Sequence, residues 1–158
     1  MMQYLTDGPL YWDRATRLNG WTAQQTYGAI VSFSGVVRAD CHNGRTVIAI
    51  EYDAYRQMAE RQIQHLVAEA QVCWPLEAIQ IQHRVGRVDA GQLSVAIVVA
   101  SGHRADAYAA SIFLLEGIKH QVPIWKRECY DDGTSQWARR IQERVVPSDT
   151  LGVVHAHV

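Results

Sequence analysis

The sequence predicts an α+β domain: a mixed or antiparallel sheet with two main helices and a short C-terminal helix. Three observations carry this. The predicted elements run strand–strand–helix–strand–strand–helix–strand. Most links between them are short and turn-rich, which favours hairpins over the long crossovers of a parallel sheet. Two segments, residues 55–74 and 104–119, repeat their apolar residues at helical spacing.

The elements follow in order. Residues 1–27 are mixed, with Tyr4-Leu5 and Tyr11-Trp12 fitting short strand or turn pieces. Residues 28–38 contain Ile30-Val31-Ser32-Phe33-Ser34-Gly35-Val36-Val37, a β-branched and aromatic run that reads as a strand. Asn43-Gly44 marks a turn within the loop 39–45, and residues 46–52 return as a second strand. Within 55–74, Ala59, Ile63, Leu66, Val67, Ala70 and Trp74 fall on one helical face, and Pro75 stops the helix. Residues 78–85 alternate, putting Ile79, Ile81, His83 and Val85 on one face of a strand. Asp89-Ala90-Gly91 is a turn, and residues 93–101, the most β-like run, predict a central strand. In the helix 104–119, the residues Tyr108, Ser111, Ile112, Leu115 and Lys119 form one stripe. Pro123 lacks an N–H and forces Val122 towards extended geometry, so that helix must stop before it. Residues 124–128 then alternate as a strand, with Ile124, Lys126 and Glu128 opposite Trp125 and Arg127. Trp137, Ile141 and Val145 predict the short third helix over 135–145, closed by Pro147. Residues 1–148 are expected to form a single domain, and 149–158 a tail that orders on a partner.

Composition narrows the function classes. With 158 residues the chain is long enough for one real core without staples. A net charge of -1 argues against bulk binding of nucleic acid or membrane. Cys41, Cys73 and Cys129 are odd in number and far apart, which fits a reducing, cytoplasmic setting rather than a disulfide framework. The N-terminus lacks the basic and apolar regions of a signal peptide. The longest apolar run, 93–100, is too short to span a bilayer. No zinc, phosphate-loop, dinucleotide or nucleophile-elbow motif is present, so neither a metal nor a nucleotide cofactor is expected.

Chemistry concentrates around residues 119–128. Lys119 sits at a helix end and Lys126 on the strand leaving it, so two cations can face one small anionic or electrophilic group. Lys119 reads either as a snorkelling lysine that covers the core edge or as a partly desolvated nucleophile, base or oxyanion partner. A second candidate is Ser101-Gly102-His103-Arg104, where a strand end, a glycine and a helix N-terminus make an anion site to which His103 and Arg104 add donors. The alternative there is a simple cap with solvated side chains. Arg38 ends the first strong strand. Arg139, Arg140 and Arg144 read as a solvated helix face, and His155 and His157 lack further ligands.

Taken together, five segments resemble the large, catalytic subunit of molybdopterin synthase over roughly residues 28–137. They are 28–38, Glu51-Tyr52 followed by Met58-Ala59-Glu60, His83-Arg84-Val85-Gly86, Ser101-Gly102-His103-Arg104, and 119–128. The resemblance implies a fold of the α/β-hammerhead type. It implies sulfur transfer from the thiocarboxylated C-terminal Gly-Gly of a small ubiquitin-like subunit to cyclic pyranopterin monophosphate, forming the dithiolene of molybdopterin. It also implies a heterotetramer with a dimer of this chain at its centre. Residue by residue, it makes Lys119 and Lys126 catalytic. It places Val36, Val37, Arg38, His103, Arg104, Arg127 and Glu128 around the substrate. Where the family often has Lys or Thr, this chain has Val36. An arginine shortly after Trp137 is implied to reach across the dimer; spacing offers Arg139 or Arg140, and Arg140 is carried forward. Two other readings use the same cations: a non-catalytic module that binds a ubiquitin-like tail or a phosphorylated metabolite, and a Schiff-base lysine enzyme.

Overall fold

A computed structural model of the chain describes residues 3–11 and 26–138. Among these the elements are β1 (Leu5–Thr6), β2 (Ala29–Val36), β3 (Cys41–His42), β4 (Arg45–Ala54), α1 (Arg56–Cys73), β5 (Leu76–Arg84), β6 (Gly86–Asp89), β7 (Leu93–Ser101), α2 (Arg104–Gln121), β8 (Ile124–Tyr130) and β9 (Ser135–Trp137). The α+β class and both main helices stand as read from the sequence.

The strands form two sheets rather than one. The first has the order β1-β5-β7-β2; β1 runs parallel to β5 and the other pairs are antiparallel. The second has the order β3-β4-β8-β9, with β6 also paired to β4. β7 is central, flanked by β5 and β2, and all nine of its residues are buried. That explains its unbroken apolar composition, since a strand covered on both faces has no polar side to alternate. The chain passes from the first sheet to the second at Val85-Gly86, where Gly86 takes φ +81. A side chain there would be strained, so the glycine permits the change of sheet. The short hairpin β3–β4 turns at Asn43 (φ 53) and Gly44 (φ 77), the left-handed pair that a two-residue turn requires.

The main core lies between the first sheet and the two helices. α1 buries Ala59, Ile63, Leu66 and Ala70, as its periodicity predicts. α2 differs from expectation. Its buried face is Ala107, Ala110, Ser111, Leu114, Gly117 and Ile118, whereas Tyr108 and Ile112 point outward and are 60% and 57% exposed. The reason is close packing: small residues let α2 approach its neighbours, and the large apolar residues that dominate a periodicity reading are displaced to the rim. At Gly117, an added Cβ would lie 2.6 Å from the Leu66 side chain of α1.

The helix expected over 135–145 does not start at Ser135. Asp131-Asp132-Gly133-Thr134 turns the chain, with Gly133 at φ +81 and the Tyr130 N–H donating to the Thr134 carbonyl, and β9 pairs back onto β8. Residues 139–158, and with them Arg139, Arg140, Arg144 and the tail, lie outside the described residues.

Gly117→Ala tests the helix contact. Leu66 is fully buried and cannot swing aside. The substitution is expected to destabilise the fold by about 1–3 kcal/mol, against a helix-propensity gain of about 1 kcal/mol. The midpoint of urea unfolding should fall accordingly.

Candidate active site

Val122 and Pro123 redirect the chain from α2 into β8. Val122 is extended (φ -78, ψ 132) and fully buried, and the Pro123 carbonyl accepts from the Tyr55 N–H at 3.1 Å. The turn therefore anchors to the start of α1, and Lys119 and Lys126 are brought to one place. Both line a cavity of about 340 Å³. Its walls come from β2, β5 and β7 of the first sheet, β4 and β8 of the second, and the C-terminal turn of α2.

Those two residues are also the only lysines in the chain, against thirteen arginines. Among the described residues Arg56, Arg61, Arg87 and Arg104 carry exposed positive charge away from the cavity, while both lysine amines line it. Arg38 and Val36 line it too. Arg38 ion-pairs with Asp40 at 2.9 Å with its side chain 80% exposed, a pair weak enough to be exchanged for an anionic ligand. In the single chain both lysines are exposed, so any desolvation of Lys119 must come from what covers the cavity.

Other predicted residues lie elsewhere. Val37 is buried beside the cavity and tied to the backbone of Gln92 and Gly91. His103 caps α2 and Arg104 opens it, both exposed. Fifteen helical residues separate Arg104 from Lys119, about 22 Å at 1.5 Å per residue. The helix N-terminus and the cavity are therefore distinct places on one chain.

A family model described as MoaE protein matches residues 5–121. The molybdopterin synthase catalytic subunit of Nostoc sp. is 40% identical over 111 residues, covering 70% of this chain and 67% of the relative. That of Arabidopsis thaliana is 43% identical over 106 residues, covering 67% of this chain and 53% of the relative. The structure of molybdopterin synthase from Staphylococcus aureus superposes with a TM-score of 0.77 at 34% identity, covering 88% of this chain and 98% of that one. The chain belongs to the MoaE family. It spans about two thirds of the length of the Nostoc relative and about half that of the plant one.

On this MoaE scaffold Arg127 and Glu128 brace the second sheet. Arg127 pairs with Glu51, its neighbour across β4, and lies over the Trp137 ring at 5.4 Å. The hydrogen bond and charge of Glu51 raise the guanidinium's pKa above its ordinary value. Glu128 accepts from the Tyr130 hydroxyl at 2.7 Å, which raises that phenol's pKa. Neither Arg127 nor Glu128 lines the cavity.

The residues that sequence reading missed are uncharged: Tyr52, His83 and Ser94 also line the cavity. The signal was present in Glu51-Tyr52 and His83-Arg84-Val85-Gly86, but nothing in a single sequence shows that these segments meet. Burial raises the Tyr52 phenol's pKa, with Ser94 as its hydrogen-bonding neighbour acting the other way. Burial lowers His83 to about 4, partly opposed by its hydrogen bond to the Arg84 carbonyl.

His83 makes stability pH-dependent. Its folded pKa lies below the ordinary 6.5, so the unfolded chain takes up a proton that the fold refuses. Stability from this group is complete above about pH 6.5 and falls as the pH drops towards 4, by about 3 kcal/mol in all. Replacing His83 with Phe is expected to flatten the dependence of unfolding free energy on pH across that window, as measured by urea titration.

Proposed function

We propose that this chain is the catalytic subunit of a molybdopterin synthase. It transfers sulfur from the thiocarboxylated C-terminus of a small ubiquitin-like subunit to cyclic pyranopterin monophosphate, forming the molybdopterin dithiolene. The observation that carries the reading is the single cavity holding both of the chain's lysines, in a member of the MoaE family.

The chemistry suits those residues. Donor and substrate are both anions, a thiocarboxylate and a cyclic phosphate, and Lys119, Lys126 and Arg38 converge on one space. The sulfur nucleophile arrives already activated on its carrier. What this chain supplies is placement, together with cations aimed where negative charge develops. A Gly-Gly tail fits such a cavity because glycine allows close backbone approach. Each thiocarboxylate gives up one sulfur, its acyl–sulfur bond being hydrolysed by water, and leaves as a carboxylate, so two donors serve one dithiolene. The reaction belongs in the cytoplasm, where Cys41, Cys73 and Cys129 stay free thiols, as they are here. Among the described residues no helix is long and apolar enough to cross a membrane.

His103 and Arg104 fit the reading through assembly. At about 22 Å along α2 from Lys119, they serve a cavity only from a second copy. Two copies of this chain form the centre of a heterotetramer, with a small subunit at each end. Arg140 belongs to the same contribution across the dimer.

Lys119→Ala is expected to slow sulfur transfer at least about a hundredfold, roughly 2.7 kcal/mol in the barrier. Folding and small-subunit binding should stay nearly intact. Single-turnover assay with thiocarboxylated small subunit checks this, and near wild-type turnover would refute the assignment. Persisting tail binding without any turnover in the unmodified protein would favour the plain binding module instead.

A mixed dimer tests the shared site. Lys119→Ala and Arg104→Ala chains, each nearly inactive alone, should recover activity when unfolded and refolded together. A hybrid dimer carries both defects in one cavity and neither in the other. Absence of recovery, with hybrid dimers shown by mass spectrometry, would place Arg104 outside the reaction.

A further inference from the structure

Two segments that carry the family likeness, Glu51-Tyr52 and His83-Arg84-Val85-Gly86, supply none of the cations of the proposed reaction. They meet on the floor of the cavity. The Tyr52 and His83 rings pack edge-on, with centroids 5.2 Å apart and planes at 80°. His83 is buried, and its Nδ1 lies 2.7 Å from the Arg84 carbonyl oxygen. A carbonyl only accepts, so Nδ1 carries the proton and the ring is held in one orientation. The Ser94 hydroxyl lies near the Tyr52 phenol, and both side chains line the cavity. Ser94 is itself tied, donating to the Gly35 carbonyl at 3.2 Å. Tyr52 thus packs on a ring fastened to backbone and has a fastened hydroxyl near its phenol.

The β4–β8 register sets Tyr52 directly opposite Lys126. Residues so opposed share a face of the sheet, with Cβ atoms about 4.5–5.5 Å apart. On the other flank of Tyr52 the register neighbour is Gly86, which has no side chain and leaves that side to His83. Lys126 carries a flexible four-carbon stem, and a cation on such a stem has no direction of its own. A fixed aromatic ring beside it removes part of its range. Burial keeps His83 uncharged at neutral pH, so no imidazolium on the floor repels the ammonium.

We infer that Tyr52, held against the fixed His83 ring and opposite Lys126 in the sheet, is a positioning residue that directs the Lys126 amine into the cavity. Its effect on turnover rests on the sulfur-transfer reading; the placement of the lysine does not. The two can be measured separately because the chain has only two lysines. Reductive methylation of the full chain with ¹³C-formaldehyde gives one signal for each lysine and one for the N-terminal amine. Lys126→Arg identifies the Lys126 signal. In Tyr52→Ala that signal should move towards the position of a free lysine, while the Lys119 signal stays put. Tyr52→Phe, which keeps the ring, and Ser94→Ala, which leaves it in place, should both hold the signal nearer its wild-type position than Tyr52→Ala does. In turnover, Tyr52→Ala should lower kcat at least about tenfold with the KM for the pterin substrate within about twofold, and Tyr52→Phe should recover most of the loss.

A Lys126 signal unchanged in Tyr52→Ala would overturn the inference. So would a Tyr52→Phe variant as impaired as Tyr52→Ala. A displaced Lys126 signal with unchanged kcat would uphold the placement and count against Lys126 in sulfur transfer. Should Tyr52→Ala fail to fold, Tyr52→Leu carries the same comparison.

Discussion

The cavity depends on a two-residue joint. Val122 is sealed in the core, and the Pro123 carbonyl is bound by the Tyr55 N–H at the start of α1. Those contacts fix where α2 ends and the angle at which β8 departs. Helix and strand carry one lysine each, so the joint sets the separation of the two amines before any ligand arrives. Little strain is involved. The proline removes a donor that a continuing helix would have needed, and the backbone beside it adopts extended geometry that any residue tolerates.

Much of this was legible in the sequence because the signals were local. Pro123 stops a helix wherever it occurs, and Asn43-Gly44 makes a tight turn on its own. The face of α1 could be read from spacing because Ile63 and Leu66, both large and apolar, sit at its centre between Ala59 and Ala70. The face of α2 was misplaced because Ala107, Ala110 and Gly117 leave a weak apolar signal while marking the closest helix packing. Packing density is a property of two surfaces, and one sequence segment shows only one of them. The hairpin at 131–137 was lost to a similar conflict: Trp137 fits a helical spacing, but Gly133 and the pairing with β8 decide in favour of a strand.

The candidate site divides along the same line. Charged residues near the chain's punctuation were found, namely Lys119, Lys126 and Arg38. The uncharged floor was not, because Tyr52, Ser94 and His83 come from three strands in two sheets. His103 and Arg104 are the reverse case. Their local chemistry reads as an anion site, and the length of α2 removes that site from the cavity of their own chain.

The change of sheet at Val85-Gly86 has a mechanical meaning. One uninterrupted stretch of backbone belongs to the first sheet as β5 and to the second as β6. The two sheets that wall the cavity are thus riveted together, like the jaws of a fixed caliper. Its gauge is set at the rivet. Ligands are sorted by whether they pass that gap, and whatever adapts on binding must do so away from the rivet, where α2 and Arg38 line the cavity.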